Sequence, residues 1–302
     1  MSDDENPIYL QRKGEDCLKT SCIKCKSKPD YNDAIPYFKE ASELYHGNQK
    51  WREEIVCRMK LANCFKQTKS YYEEGCEYEK IAKIRINQLN VTDDAFIDIN
   101  NSFHCFCTQK EYNYGFKSLF NFSKDFMQRG EYIYAEKCSK IAFENLNKYY
   151  HVICLKKNEE YIEFLYDGIR QYLDILIYND ELNECKKVID KMIELIKEED
   201  SENKNEISKL NIFKLGIFIL EDDNINFKNL FDICEQNDDL KCIGKLKRSI
   251  DNIDEKLFKD SMVEVNYIYP VSMNKKITQL FKNIKEEKNK QIEPNDVELD
   301  FK

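Results

Sequence analysis

Apolar residues recur every three or four positions along most of the chain, which is the spacing of one buried face of an α-helix. The first clear example follows Asp30, with apolar positions at Ala34, Tyr37, Phe38, Ala41 and Tyr45. We expect Asp30 or Asn32 to cap this helix and Gly47-Asn48 to end it. Pro36 fits best with a cap at Asn32 or Asp33, because the first N–H groups of a helix have no intrahelical partner. The next helix is predicted from Trp51, Ile55, Met59, Ala62 and Phe65.

A tyrosine followed three residues later by a small residue returns several times along the chain. The copies pair Tyr31 with Ala34, Tyr72 with Gly75, Tyr112 with Gly115 and Tyr132 with Ala135. Measured from the first tyrosine, the offsets are 41, 81 and 101 residues, which predicts helices of roughly twenty residues in pairs of roughly forty. Small side chains let neighbouring helix backbones approach closely. The pattern therefore indicates a tetratricopeptide-like α-solenoid, whose units must stack to bury their apolar faces, with helices longer than in the standard repeat.

Helical periodicity continues beyond Tyr150, although the repeat fades. Helices are predicted over residues 158–178, 181–200, 205–220, 226–235 and 240–251. Residues 251–269 are less regular, and Pro270 closes them. A last amphipathic helix is predicted over residues 273–288, with Met273, Ile277, Leu280, Phe281 and Ile284 on one face.

The composition agrees with an all-α fold. The chain has 302 residues, of which only 8 are Gly and 5 are Pro, while 34% are charged. Sheet proteins need frequent turns, which Gly and Pro usually build, so a chain poor in both is better explained by helices joined through short links.

Charge and cysteine content exclude several classes of function. A net charge of -9 argues against nucleic acid as a partner. The acidic start of the chain is unlike a signal peptide, no apolar run is long enough to span a membrane, and the 13 cysteines are scattered. We therefore expect a cytoplasmic protein with reduced thiols, several of them serving as small core residues.

No sequence motif for catalysis, a metal or a cofactor is found. The one CxxC, Cys22 to Cys25, has no second CxxC or pair of histidines to complete a zinc site. Phosphate-binding glycine loops and the usual hydrolase motifs are missing as well. We expect a protein that is not an enzyme and needs no cofactor.

The stretch Leu18 to Tyr45 resembles the N-terminal signature of the soluble NSF-attachment proteins (SNAPs), and the γ form most of all. The matching residues are Leu18-Lys19-Thr20, a Lys-containing loop, Lys28-Pro29-Asp30-Tyr31, Ala34, Tyr37 or Phe38, and Ala41. The match is dense over about 28 residues, with one residue inserted near Ser27. The C-terminal end, an amphipathic helix followed by an acidic tail, is more similar to the α form.

The resemblance implies a twisted sheet of antiparallel helix pairs over residues 6–200, a C-terminal helical bundle over 205–290 and an acidic tail over 291–302. It also implies a non-enzymatic adaptor, associated peripherally with membranes. Several copies of such an adaptor hold one assembled SNARE complex and recruit the hexameric ATPase NSF, which separates the SNAREs after membrane fusion.

Three sets of site residues follow from the resemblance. The loop that contacts the membrane corresponds to Cys22, Ile23, Lys24, Cys25, Lys26 and Lys28, although it lacks the family's paired bulky aromatics. The tail that contacts the ATPase corresponds to Asp296, Glu298, Leu299, Asp300 and Phe301, with Phe where the family's α form has its next-to-last Leu. Candidates for the basic surface that faces the SNAREs are Lys117, Lys124, Lys156 and Lys157.

A second interpretation is a tetratricopeptide-like scaffold subunit of another multiprotein complex, because such subunits also use long helix pairs. Binding to NSF and to a preassembled SNARE complex distinguishes the two.

Overall fold

The computed structural model describes residues 6–20, 28–155, 158–199, 203–234 and 238–292. Within these ranges every regular element is a helix, so the all-α prediction is confirmed. The chain divides into two compact units, Met1–Gly168 and Ile169–Lys302. The predicted division between hairpin sheet and bundle, at residues 200–205, falls within the second unit.

Seven helices and the first half of an eighth make up the first unit. They are α1 (Pro7–Leu18), α2 (Tyr31–Gly47), α3 (Trp51–Gln67), α4 (Tyr71–Ile84), α5 (Thr92–Thr108), α6 (Tyr112–Gln128), α7 (Tyr132–Leu155) and α8 (Glu159–Tyr178). A π-helical turn, Arg85–Leu89, extends α4. The remaining helices are α9 (Leu182–Glu199), α10 (Lys204–Leu220), α11 (Asn224–Ile233), α12 (Asp238–Asp251), α13 (Glu255–Val265) and α14 (Val271–Ile292).

The first unit is a two-layer stack of antiparallel helix pairs. From α1 to α7 each helix packs against the next one along the chain. Odd-numbered helices also contact each other, since Lys60 of α3 pairs with Glu15 of α1. Even-numbered helices do the same: the ring of Tyr72 on α4 lies 5.2 Å from that of Tyr114 on α6. The predicted solenoid of stacked helix pairs is therefore present in this unit.

The repeated small residues lie where two helices come closest. Ala34, Ala41, Ala82 and Ala135 are completely buried. At Gly75 an added Cβ would lie 3.1 Å from the ring of Phe106 on α5, so only glycine allows α4 and α5 to pack at this distance without adjustment. The starts of α2, α4 and α6, at residues 31, 71 and 112, reproduce the predicted spacing of about forty residues.

Most links between consecutive helices share one compact design. Seven of them in the described chain are three residues long, and the middle residue has a positive φ. The third residue of each donates its N–H to a carbonyl five residues earlier at 2.8–2.9 Å, as Ser70 does to Phe65. This is the Schellman arrangement, which satisfies the free carbonyls at a helix C-terminus. The middle residues are Gln49, Lys69, Lys110, Gly130, Asp180, Asp222 and Ile253.

In the second unit, α10 is the central helix. It packs against α9, α11, α12 and α14, and α12 packs against α13. The hydroxyl of Tyr269 donates to the carbonyl of Ile212 on α10 at 3.2 Å, and the buried Met273 of α14 lies over Gly216. The predicted apolar face of the last helix is confirmed, since Met273, Ile277 and Phe281 are buried.

Asp30, one of the two predicted caps of α2, is confirmed, since its carboxylate accepts from the N–H of Asp33 at 3.1 Å. Three local predictions were wrong. Pro36 lies in the second turn of α2 and not at the start of the helix. Pro36 is exposed there, which leaves water as a partner for the carbonyl of Asn32. Met59 is 45% exposed and not part of the core face of α3. The irregular stretch predicted over 251–269 contains a full helix, α13.

Candidate protein-binding surfaces

Only three of the predicted site residues lie in the described part of the chain: Lys28, Lys117 and Lys124. Lys28 is exposed just before α2. The other members of the predicted loop, tail and SNARE-facing sets lie outside the described residues. These are Cys22, Ile23, Lys24, Cys25, Lys26, Lys156, Lys157, Asp296, Glu298, Leu299, Asp300 and Phe301.

Lys117 and Lys124 lie on the outer face of α6. They are seven residues apart, which is two helical turns and about 10 Å along the axis. Both are exposed, because the opposite face of the helix carries the apolar side chains that pack against the neighbouring helices. Those buried residues are Phe116, Leu119, Phe120, Phe122 and Phe126.

A shallow cleft of about 410 Å³ separates the outer faces of α4 and α6. Lys83 of α4 lines it, donates to Glu79 at 2.7 Å and lies 6.0 Å from the ring centre of Phe122. Lys124 lines the same cleft beside Asp125. The charges in the cleft are therefore mixed, and it is not a uniformly basic surface.

The lysines of α4 and α6 differ in whether they are paired. Lys80 donates to Glu77 at 2.6 Å, and Lys83 donates to Glu79. In contrast, neither Lys117 nor Lys124 has an acidic partner among the described residues. An unpaired cation gains most from an incoming carboxylate, because it has no existing ion pair to give up. Among the lysines of α4 and α6, these two side chains are the strongest candidates for binding an acidic partner.

The two lysines of the α4 face, Lys80 and Lys83, were not predicted from the sequence, although their ion pairing could have been. Glu77 and Glu79 precede them by three and four residues, which is the spacing of helical ion pairs. That pattern shows they are neutralised within α4.

The cysteines of the described chain are buried or half-buried free thiols. Burial raises the pKa of Cys57, Cys105 and Cys185 to about 12, so these thiols stay protonated at neutral pH. In this part of the chain no group of three or more His, Cys, Asp or Glu side chains is arranged to hold a metal ion. Each helix in the same ranges is too short or too polar to cross a membrane.

Comparison with known proteins gives no assignment: no protein-family model matches the chain, and no curated protein matches it significantly. Membership of the SNAP family therefore stays a prediction from the residues of Leu18 to Tyr45.

Proposed function

We propose that this protein is a SNAP-type adaptor that binds assembled SNARE complexes and recruits and stimulates NSF. One observation carries the proposal: the stretch that resembles the family forms part of a two-layer stack of helix pairs of about forty residues, of which it supplies α2. The proposed adaptor acts without catalysis or cofactor, in the cytoplasm, at membrane surfaces and in several copies per SNARE complex.

The proposed SNARE contact is electrostatic and local. The resemblance implies that the SNARE bundle presents an acidic surface, which repels a chain with a net charge of -9 at long range. Binding then depends on cations close to the partner, and Lys117 and Lys124 supply two of them on one face of α6. The affinity should therefore fall as salt increases, since exposed charge pairs are screened within about 8 Å at physiological ionic strength.

Charge reversal tests this assignment. We expect the double variant Lys117→Glu, Lys124→Glu to lose most binding to a preassembled SNARE complex in pull-down experiments. The matched control is Lys66→Glu, Lys140→Glu, which makes the same charge change on the exposed faces of α3 and α7, in the other layer. Equal loss in both variants would show that net charge matters and not this face.

The tail is tested separately. Deleting residues 297–302 should leave SNARE binding intact and lower the stimulation of the ATPase by the adaptor. Unchanged stimulation would remove the tail from the proposed contact.

The proposal as a whole depends on ternary assembly. The full chain, NSF and a SNARE complex should form one complex in the absence of ATP hydrolysis, as detected by size-exclusion chromatography. Failure to do so with correctly folded protein would reject the adaptor and favour the scaffold subunit.

A further inference from the structure

The side of the second unit formed by α11 and α12 holds a basic cleft with an aromatic floor. Its volume is about 720 Å³, within the range of about 300–1,000 Å³ typical of ligand sites. Phe227 and Phe231 of α11 form the floor, with ring centres 5.6 Å apart and planes 19° apart. Gly244 of α12 makes room for the second of these rings, because an added Cβ would lie 3.0 Å from the ring of Phe231.

Five cations and a single carboxylate line this cleft, an excess of four positive charges in a chain whose net charge is -9. Lys247 is buried against the ring of Phe227 and pairs with the carboxylate, Asp251. The other cations are Lys228 on α11 and Lys241, Lys245 and Arg248 on α12.

Two of these cations are not neutralised. Lys241 pairs with Asp238 at 2.9 Å and Lys245 with Glu264 at 3.2 Å, both outside the cleft lining. Within the described ranges, Lys228 and Arg248 have no acidic partner. Arg248 is held by its Nε–H, which donates to the carbonyl of Gly244 at 3.2 Å. One unpaired cation therefore stands on each helix, and both line the cleft together with the two phenyl rings.

We propose that this cleft binds an acidic peptide segment of a partner protein, with one aliphatic or aromatic side chain inserted over Phe227 and Phe231. The carboxylates that flank this side chain pair with Lys228 and Arg248.

The spacing of the cations favours a peptide over a phosphate group. Lys241, Lys245 and Arg248 stand on successive turns of α12 and spread over about 10 Å along its axis. That spread fits carboxylates distributed along a chain, whereas phosphate sites gather their donors around one group, often at a helix N-terminus. A concave cleft is also poorly shaped for the flat surface of a membrane.

Fluorescence anisotropy with the full-length chain tests the proposal. The probes are fluorescein-labelled peptides with a single Leu, Phe or Trp flanked on both sides by glutamates, and matched peptides in which Gln replaces every Glu. We expect at least one acidic probe to bind, and to bind at least about tenfold more tightly than its Gln counterpart at low salt.

The variant Lys228→Glu, Arg248→Glu should reduce this binding about tenfold or more. It should still fold, because neither side chain has an ion pair to lose, and circular dichroism checks this. The control Lys256→Glu changes an exposed lysine of α13, outside the cleft.

Three outcomes would overturn the proposal. They are no binding of any acidic probe, equal binding by the double variant, or binding that is insensitive to replacing the apolar side chain by Ala. Vesicles containing phosphatidylserine and free inositol hexakisphosphate serve as rival ligands. Binding of either that the double variant abolishes, without peptide binding, would assign the cleft to lipid or phosphate instead.

Discussion

Asp98 carries a carboxylate into the interior of the first unit, where it is only 3% exposed. Its Oδ2 lies 3.2 Å from Nε of Arg85, but within the described structure this oxygen accepts no well-aligned hydrogen bond. Arg85 also pairs with the exposed Asp94 at 2.8 Å. Burial raises the pKa of Asp98 to about 6, against the opposing attraction of Arg85, and Asp94 raises it slightly further.

This shift predicts an unusual dependence of stability on pH. Between about pH 4 and pH 6 the folded chain keeps a proton on Asp98 that the unfolded chain releases. The contribution of this group to the free energy of unfolding is therefore full below pH 4 and is lost as the pH rises to 6, by at most about 1.4 kcal/mol per pH unit. Urea unfolding of the wild type and of Asp98→Asn across this range measures the difference, and Asn should remove this part of the slope.

The control for this measurement is Asp94→Asn, because Asp94 is 57% exposed on its side chain and should leave most of the slope in place. Identical pH profiles for the wild type and Asp98→Asn would refute the assignment. The burial of Asp98 was readable in the sequence, since it shares the helical face of Ala95, Ile99 and Ser102. The misaligned contact between Asp98 and Arg85 could not be predicted from the sequence, because the position of Arg85 depends on the π-helical turn.

Individual helices were predictable wherever their apolar stripe was long and uninterrupted. Helix α14 is an example, with the buried Met273, Ile277 and Phe281 at intervals of four residues. Helix α13 was missed because it is short and only Phe258, Ser261 and Val265 are buried. Its start was nevertheless marked by Asp254, whose side chain accepts from the N–H of Leu257 at 3.0 Å. The π-helical turn Arg85–Leu89 has no such local signal.

Helix packing gives a prediction for Gly168 on α8. A Cβ at this position would lie 2.5 Å from ring carbons of Phe120 on α6, a ring that is only 2% exposed. Gly168→Ala should therefore force the two helices or the ring to shift and should lower the free energy of unfolding by about 1–3 kcal/mol. Chemical denaturation measures this loss.

Gly47, at the end of α2, provides the comparison for Gly168. Its added Cβ would meet nothing within 4 Å, so Gly47→Ala should be neutral or slightly stabilising. Similar losses at both sites would mean that packing at Phe120 is not the cause.

The helix links predict a substitution that stabilises the chain. Lys69 is exposed, and its φ of 62° is unfavourable for a residue with a Cβ. Lys69→Gly removes that strain but adds freedom to the unfolded chain, so we expect a net gain of about 0.5–1 kcal/mol. Thermal unfolding followed by circular dichroism measures it. The same change three residues earlier, Lys66→Gly in the last turn of α3, should lower the free energy of unfolding by up to about 1 kcal/mol, and a loss at Lys69 as well would contradict the prediction.

At the scale of the whole molecule, the reactivity of the cysteine thiols tests which residues are buried in the core. Cys57, Cys138 and Cys185 are fully buried, and burial raises the pKa of each thiol. In native protein at pH 8 we expect these three to resist iodoacetamide, while the half-buried Cys234 and Cys242 react faster. Peptide mapping by mass spectrometry compares them with protein in urea, where all should react. Labelling of Cys138 at the unfolded rate would contradict its place in the core.

Fold class and surface chemistry differ in how far the sequence reveals them. Periodicity predicts the helices because burial acts on every turn, and the copies beginning at Tyr31 and Tyr72 predict how the helices pair. The sequence predicts the exposed lysines of α6 as candidates, but their lack of acidic partners depends on which helices become neighbours. The α11–α12 cleft was not predicted for the same reason, since Phe227 and Gly244 meet only after folding.

The three-residue links of the described chain also restrict how such a sequence can change over time. One extra residue in a link would displace the residue that donates to the carbonyl five positions earlier, and so would change the direction of the following helix. We therefore expect the links of related sequences to change by substitution and to keep their length of three residues. Distant relatives should align with this chain without gaps across the links at Gln49, Lys69 and Lys110, even where few identical residues remain. A conserved link length is then better evidence of homology than conserved residue identities.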